Sequence, residues 1–279
     1  MNCVERLVFG TAGIPLCVKN RDTEEGIREV AKLGLGAMEL EFVRGVKMGE
    51  VRARSVRNVA KKLGVVLTAH GPYYINLNSR EEEKRRASIK RILDTARVGW
   101  MCGAFSITFH PAYYHNDPPE KVYEIVKSAL SEIVETLSSE GNRVWVRPET
   151  TGKKTQFGSL EEIIRLSEEL EQVLPCVDFS HIHARTGKYN TYDEFSYILE
   201  SIENRLGRDA LEEMHSHVQG IEYGERGEIN HLNLRESDFN YVELLKAMVD
   251  FDVRGVVICE SPNIEEDALL LQKTYNSLV

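Results

Sequence analysis

The chain has 279 residues and 42% hydrophobic content, which is enough for a full core and close to the size of one TIM-type barrel. Its net charge of −9 argues against non-specific wrapping of nucleic acid. Five widely spaced cysteines and the lack of an 18-residue apolar run argue against a disulfide framework and a membrane span, so we expect a cytoplasmic protein.

Short β-branched runs alternate with amphipathic segments along the whole chain. The runs predict strands, and the apolar spacing of i, i+3 and i+4 between them predicts helices. The eight predicted strands begin at Leu7 (LVFGT), Met38 (MELEF), Val65 (VVLTAH), Phe105 (FSITFH), Arg143 (RVWVRPE), Val173 (VLPCVD), Glu213 (EMHSHV) and Gly255 (GVVICE).

Helix starts are predicted from capping signals. A hydroxyl residue followed three positions later by Glu is typical of a capping box, and an Asp-Pro pair is typical of a helix start. These signals occur at Ser79 with Glu82, Ser159 with Glu162, Thr191 with Glu194, and Asp117-Pro118.

The alternation of eight strands with helices predicts βαβ units and therefore a parallel sheet. An open doubly wound sheet is the alternative, but the first turn, Gly10–Pro15, fits a phosphate-binding glycine loop poorly. No linker or composition break interrupts the sequence. We therefore expect one domain over residues 1–279, an α/β fold of the TIM-type (β/α)8 barrel class.

Most acidic and imidazole groups that could bind a metal end a predicted strand or closely follow one. These residues are His70, His110, Glu149, Asp178, His181, His217 and Glu260. The C-terminal strand ends of a TIM barrel form its catalytic face, so all seven are expected at one mouth. A lone His at a strand end is more often a hydrogen-bonded structural group, but several carboxylates buried together without cations would be costly. The set therefore predicts divalent metals, and imidazole with carboxylate favours zinc or manganese over magnesium.

At these residues the sequence resembles endonuclease IV, the metal-dependent AP endonucleases within the xylose-isomerase-like TIM barrels. The resemblance rests on six segments in order along nearly the whole chain. They are AHGPYYINL at His70, FHPA at His110, ETTGKKTQFG at Glu149, CVDFSH at Asp178, HVQG at His217 and ICESPN at Glu260.

The resemblance implies a centre of two or three Zn²⁺ ions, with Mn²⁺ as another possible metal. His70, His110 and Glu149 would hold the first ion, and Glu149 would bridge to a second ion held by Asp178, His217 and Glu260. His181 and His231 would hold the third. The implied reaction is hydrolysis of the DNA phosphodiester 5′ to an abasic site in damaged double-stranded DNA, with Glu149 and Glu260 as catalytic residues.

The segment GEINHLNL departs from the pattern of that family, which places an Asp two residues before the last His. Ile229 occupies that position here, and Glu228 lies three residues before His231. Regular strand alternation would point Glu228 away from His231. Asn230 is a further candidate ligand of the third metal site.

DNA contacts are predicted at one Tyr and at several basic residues. Tyr73 matches a Tyr of the family, Arg44 lies where the family often inserts an Arg, and Arg185 could bind phosphates, as could Lys153, Lys154 and Arg226. Each is also consistent with an ordinary surface or rim residue.

His215 shares a strand face with His217 and could orient a ligand, and His183 is expected to be a hydrogen-bonded loop residue.

Two other functions fit the same residues. A metal-dependent sugar isomerase or epimerase would use Glu149 and Glu260 as a proton-transferring pair beside the metal. A barrel that binds metal or DNA without catalysis is the third reading. Fold alone does not choose among them, because this barrel supports many reactions.

Overall fold

The computed structural model describes residues 4–279, and eight parallel strands form its central sheet. In the sheet, the neighbouring strands begin, in order, at Trp145, Ser106, Val66, Ala37, Leu7, Gly255, Met214 and Cys176. The parallel bridges Val146–Val173 and Glu149–Cys176 connect the two end strands. The sheet therefore closes on itself, and the predicted TIM-type barrel is confirmed. All eight barrel strands lie where the sequence predicted them.

The barrel strands and the short strands at its mouth have the following bounds in chain order: β1 Leu7–Ala12, β2 Ala37–Glu41, β3 Val66–His70, β4 Ser106–Phe109, β5 Ala112–Tyr113, β6 Trp145–Pro148, β7 Gln156–Phe157, β8 Cys176–Asp178, β9 Met214–Val218, β10 Gly220–Gly224, β11 Gly227–Leu232 and β12 Gly255–Cys259. Two small antiparallel pairs, β5 with β7 and β10 with β11, stand outside the barrel sheet.

Helices alternate with the barrel strands and cover the outside of the sheet. Their bounds are α1 Thr23–Lys32, α2 Glu50–Leu63, α3 Glu82–Cys102, α4 Pro119–Ser139, α5 Leu160–Glu169, α6 Phe179–Thr186, α7 Tyr192–Leu206, α8 Arg208–Glu212, α9 Tyr241–Asp250 and α10 Glu265–Asn276. No helix within residues 4–279 is long and apolar enough to cross a membrane.

Two of the predicted helix starts are confirmed and two are shifted. Ser159 and Thr191 each form a full capping box with the Glu three residues on. The predicted box at Ser79 does not form, because α3 begins after Glu81 and Ser79 Oγ accepts the Glu81 N–H instead. Helix α4 has Pro118 as its N-cap, so Asp117 lies one residue outside and pairs with Lys121.

The core lies between the barrel wall and the helices. Strand interiors such as those of β9 and β12 are buried at every position, as expected of a sheet covered on both faces. Helix α5 buries Ile163 and Leu166 on one face and exposes its acidic residues on the other. This packing holds the C-terminal strand ends in fixed positions around one mouth.

Candidate metal centre

The first group of predicted ligands meets on the buried carboxylate of Glu149. Nε2 of His70 lies 3.2 Å from Oε2 of Glu149, and Nε2 of His110 lies 3.2 Å from Oε1. Ligand atoms of all three residues lie within 4.8 Å of one another. Residues from β3 and from the loops after β4 and β6 thus form what we call cluster 1 (His70, His110, Glu149).

A second group shares Glu149 with the first. We call it cluster 2 (Glu149, Asp178, His217, Glu260), and its ligand atoms also lie within 4.8 Å of one another. Nδ1 of His217 lies 3.5 Å from Oε1 of Glu149 and 3.5 Å from Oε1 of Glu260. Asp178 is fixed at the start of α6, because it accepts the His181 N–H and the side-chain amide of Gln219.

The third group, cluster 3 (His181, Glu228, His231), forms because of a β-bulge. The β10–β11 register shifts between Glu222 and Tyr223, so that Ile229 is the extra residue opposite them. An extra residue reverses the alternation on one side of it, which places Glu228 and His231 on the same face. The expectation that alternation points Glu228 away from His231 is therefore wrong. Nε2 of His181 lies 3.6 Å from Oε2 of Glu228 and 3.4 Å from Nε2 of His231.

Asn230, the other candidate for this site, lies on the opposite face, where its amide donates to Glu222.

The bulge can be tested by deleting Ile229, whose side chain is exposed. Deletion leaves Glu228 and His231 two positions apart, which regular alternation keeps on one face. We expect this variant to bind as much metal as the parent chain. Glu228→Ala should instead lose about one ion per chain by elemental analysis. Equal losses in both variants would contradict the assignment of Glu228.

Gly152 leaves the space that cluster 3 occupies. A Cβ at this position would lie 2.6 Å from Cβ of Glu228 and 2.9 Å from Cδ2 of His181. Both distances are shorter than side chains tolerate, so Gly152→Ala should displace Glu228. We expect that variant to lose metal from cluster 3 while clusters 1 and 2 keep theirs, as measured by elemental analysis of the purified protein.

The charged groups of the mouth shift one another's pKa values. Burial alone would raise the pKa of Glu149, but the imidazoles of His110 and His217 hold it well below its usual range. Burial alone would lower the pKa of His70, but Glu149 and Glu41 raise it to about 10. The pKa of His181 is likewise raised to about 10, against the effect of burial, by Asp178, Glu149 and Glu228. In the metal-free protein, protonated imidazoles therefore serve as the counter-ions of the carboxylates.

These shifts predict how the stability of the metal-free protein depends on pH. A pKa raised from 6.5 to about 10 on folding contributes stability that is complete below about pH 6.5 and is lost as pH rises through about 10. We expect the Tm of the metal-free protein to fall between pH 7 and pH 10. A loss of 1 kcal/mol lowers Tm by roughly 2–4 °C in chains near this size. Zinc-loaded protein should not show this decline, because the metal replaces the protons on the imidazoles. If the Tm of the metal-free and of the zinc-loaded protein changes with pH in the same way, the assignment is contradicted.

The residues present fit a bound metal. Nδ1 of His217 and Oε2 of Glu228 are buried and have no hydrogen-bond partner among residues 4–279, and each faces its cluster. Buried polar atoms without partners are costly unless a cation or water satisfies them. The donors are imidazoles and carboxylates, which suit zinc or manganese. Burial raises the pKa of the neighbouring Cys176 thiol to about 12, so it remains protonated beside His217.

The mouth opens into a cavity of about 590 Å³ above the clusters. Tyr73 lies on its wall with 64% of its surface exposed, and Lys153 also lines it. Arg44 is exposed but does not line the cavity. Arg185 faces the protein instead, because its guanidinium donates to the carbonyls of Lys153 and Gln156 and so fixes the loop after β6.

Two acidic residues of the mouth had not been singled out from the sequence. Glu39 is fully buried and Glu41 lies on the cavity wall, and both come within 4.8 Å of Glu260. Their signal was present in the segment MELEF, where two Glu residues two positions apart share one face of a predicted strand. His215 lies beside Glu39 inside the barrel. His183 lies within helix α6 and not in a loop as expected, and its Nδ1 forms the expected structural hydrogen bond, with the carbonyl of Lys188 and away from the clusters.

Comparison with known sequences finds relatives over the full chain. A family model described as xylose isomerase-like TIM barrel matches residues 27–276. An uncharacterized protein of Methanocaldococcus jannaschii is 49% identical over 279 residues, covering 100% of both chains. A probable endonuclease 4 of Clostridium botulinum is 28% identical over 201 residues, or 66% of this chain and 69% of that protein.

Solved structures confirm the fold without distinguishing between activities. Endonuclease IV from Thermus thermophilus superimposes with a TM-score of 0.72 and 19% identity over 96% of this chain and 98% of that one. A D-tagatose 3-epimerase-like protein superimposes with a TM-score of 0.71 and 16% identity over 96% of both chains. Proteins with both names share this barrel, and one fold can support many reactions, so the functional argument depends on the residues of the mouth.

Proposed function

The chain belongs to the xylose isomerase-like TIM barrel family, and from this premise we propose that it is a metal-dependent AP endonuclease that cleaves DNA on the 5′ side of abasic sites. The single observation that carries the proposal is that one mouth contains three clusters that could each hold a metal ion, two of which share Glu149. One or two ions suffice for an isomerase. The third cluster forms because of the bulge in β11. A nuclease would use it, because three ions could surround one phosphate group.

Each cluster would hold one divalent ion, with zinc favoured by the donors and manganese as the alternative. When bound, the ions would polarise a phosphodiester and stabilise the attacking and leaving oxygens. Glu149 would be a ligand in both cluster 1 and cluster 2, and Glu260 would complete the ligands of cluster 2. The hydrogen bonds of His70 and His181 to the carbonyls of Gly71 and Thr150 orient both rings toward the clusters.

The substrate would be a duplex with its abasic nucleotide turned into the cavity, because most ligands of clusters 1 and 2 are buried and enzymes that act on a nucleotide within a duplex turn it out of the stack. Tyr73 offers an exposed ring at the rim for contact with the sugar or a neighbouring base. Lys153 and Arg44 would contact phosphates on either side. We further propose that residues 1–279 act as one unit in the cytoplasm; the four cysteines within residues 4–279 are free thiols.

The test uses a labelled duplex that carries one abasic-site analogue. We expect a nick on its 5′ side in the presence of zinc or manganese, and about three ions per chain by elemental analysis. An undamaged duplex of the same sequence should remain intact. Absence of cleavage with zinc, manganese and cobalt, together with about one ion per chain, would overturn the proposal.

A metal-dependent sugar epimerase is the second candidate, and Glu41 is the observation that favours it. Its carboxyl group lies on the cavity wall, and burial raises its pKa to about 8. An additional acid beside the metals does not help to bind a phosphodiester anion, but it could exchange a proton with a sugar. Incubation of ketohexoses with the metal-loaded protein in heavy water tests this. Deuterium incorporation without DNA cleavage would favour the epimerase.

A further inference from the structure

A buried polar network lies directly beneath cluster 2, inside the barrel. It joins four strands and consists of Glu39, Thr68, Ser106, His215 and His217, all of which are fully buried. Oε2 of Glu39 accepts a hydrogen bond of 2.7 Å from Thr68 and lies 3.1 Å from Nε2 of His215. Oε1 of Glu39 lies 3.0 Å from Nε2 of His217. One carboxylate thus contacts three side chains of the barrel interior.

His217 differs from three other histidines of the clusters in how its ring is held. His70, His181 and His231 each direct Nδ1 at a backbone carbonyl and Nε2 into the mouth. His217 has the opposite orientation, with Nδ1 facing Glu149 and Glu260 at 3.5 Å and Nε2 facing down into the barrel. No carbonyl of the described part of the chain accepts a hydrogen bond from this Nε2, so Glu39 occupies the position that a backbone oxygen has for the other three.

The other contacts of the network agree with this arrangement. Nδ1 of His215 lies 2.9 Å from the hydroxyl oxygen of Ser106, so that its Nε2 faces Glu39 at 3.1 Å. Among residues 4–279 these two histidines are the ion-pair partners of Glu39 within 4.0 Å.

We propose that Glu39 is a positioning residue that holds His217 by its Nε2, so that Nδ1 faces the metal of cluster 2. A buried carboxylate in the middle of a barrel costs several kcal/mol, and an apolar side chain of similar volume would pack there without that cost. The presence of Glu39 is explained if it fixes the ring and raises the basicity of Nδ1 toward a metal. This inference rests on the proposed metal centre and not on the identity of the substrate.

The experiment measures zinc affinity by competition with a chelating dye, on the whole chain without any nucleic acid. Glu39→Gln should weaken zinc binding by about 10–100-fold, the usual effect of removing a carboxylate that orients a ligand histidine. Glu265→Gln is the matched control: it neutralises another buried carboxylate, which fixes the backbone at Leu16 and Cys17 and contacts no imidazole. Its zinc affinity should equal that of the parent chain.

A double-mutant cycle separates positioning from a general effect on folding. If Glu39 acts through His217, then Glu39→Gln should cause no further loss of zinc affinity in a His217→Gln background. Additive losses, or a folded Glu39→Gln protein with unchanged affinity, would overturn the inference. If Glu39→Gln does not fold, Thr68→Val removes only the 2.7 Å hydrogen bond to Glu39 and should give a smaller loss of the same sign. Zinc binding without DNA cleavage would leave this inference intact and reject the nuclease, whereas a parent chain that binds no zinc would reject both.

Discussion

Replacing Glu149 with Gln is expected to abolish metal-dependent cleavage at an abasic site, with a loss of at least about 10³-fold in kcat, or about 4 kcal/mol of transition-state stabilisation. The reason is that one fully buried carboxylate belongs to both cluster 1 and cluster 2. Gln has nearly the same volume but cannot supply a negative charge to two cations. The imidazoles of His70, His110 and His217 would also lose the carboxylate that they now share.

The measurement combines cleavage rates with the metal content of the purified variant. We expect Glu149→Gln to lose about two ions per chain, because two of the three clusters depend on it. Glu222→Gln makes the same chemical change on the exposed outer face of the β10–β11 hairpin and should keep full activity. A Glu149→Gln protein that retains its metal and its cleavage rate would contradict the shared-ligand role.

Removing the metals should have the second large effect. After exhaustive chelation we expect no measurable cleavage and a lower Tm, because ions that bind only the folded state stabilise it by RT ln(1 + [L]/Kd). At a free metal concentration about 1,000 times Kd, that stabilisation is about 4 kcal/mol per site. The mouth also contains Glu39, Glu41, Glu149, Asp178, Glu228 and Glu260 in close proximity. Their mutual repulsion increases when the cations leave.

Reconstitution distinguishes metal loss from irreversible damage. Adding zinc or manganese back to the chelated protein should restore both the Tm and the cleavage rate. Adding magnesium should restore little, because clusters 1 and 3 each contain two imidazoles and magnesium prefers oxygen donors. Chelated protein that still cleaves abasic DNA at the original rate would rule out a metal-dependent mechanism.

The positions of the barrel strands and of most metal-binding candidates followed from the sequence alone. Parallel strands buried on both faces have near-continuous apolar runs, and the helices between them have a period of 3.6, so both patterns are local. A parallel barrel then brings all C-terminal strand ends to one side, whatever the loops do. That is why His70, Glu149 and Glu260 could be assigned to one mouth although they are far apart in the chain.

The sequence did not determine how neighbouring elements adjust to each other. The capping signal at Ser79 was present, but the chain enters α3 two residues later. Arg185 has the positive charge expected of a phosphate contact. In the structure, however, its guanidinium donates to the carbonyls of Lys153 and Gln156, which follow β6. Such outcomes depend on which acceptors lie nearby after folding, and a local pattern contains no information about them.

Two features of the site were decided by tertiary structure alone. The bulge at Ile229 depends on how β11 pairs with β10, and a two-residue period read along one strand cannot show an extra residue in a pair. Glu39 and His217 lie on β2 and β9, which β1 and β12 separate in the sheet. They meet because the sheet closes and their side chains cross its interior. Chain-local periodicity therefore determined which residues reach the mouth, while strand pairing and barrel closure decided which of them contact each other.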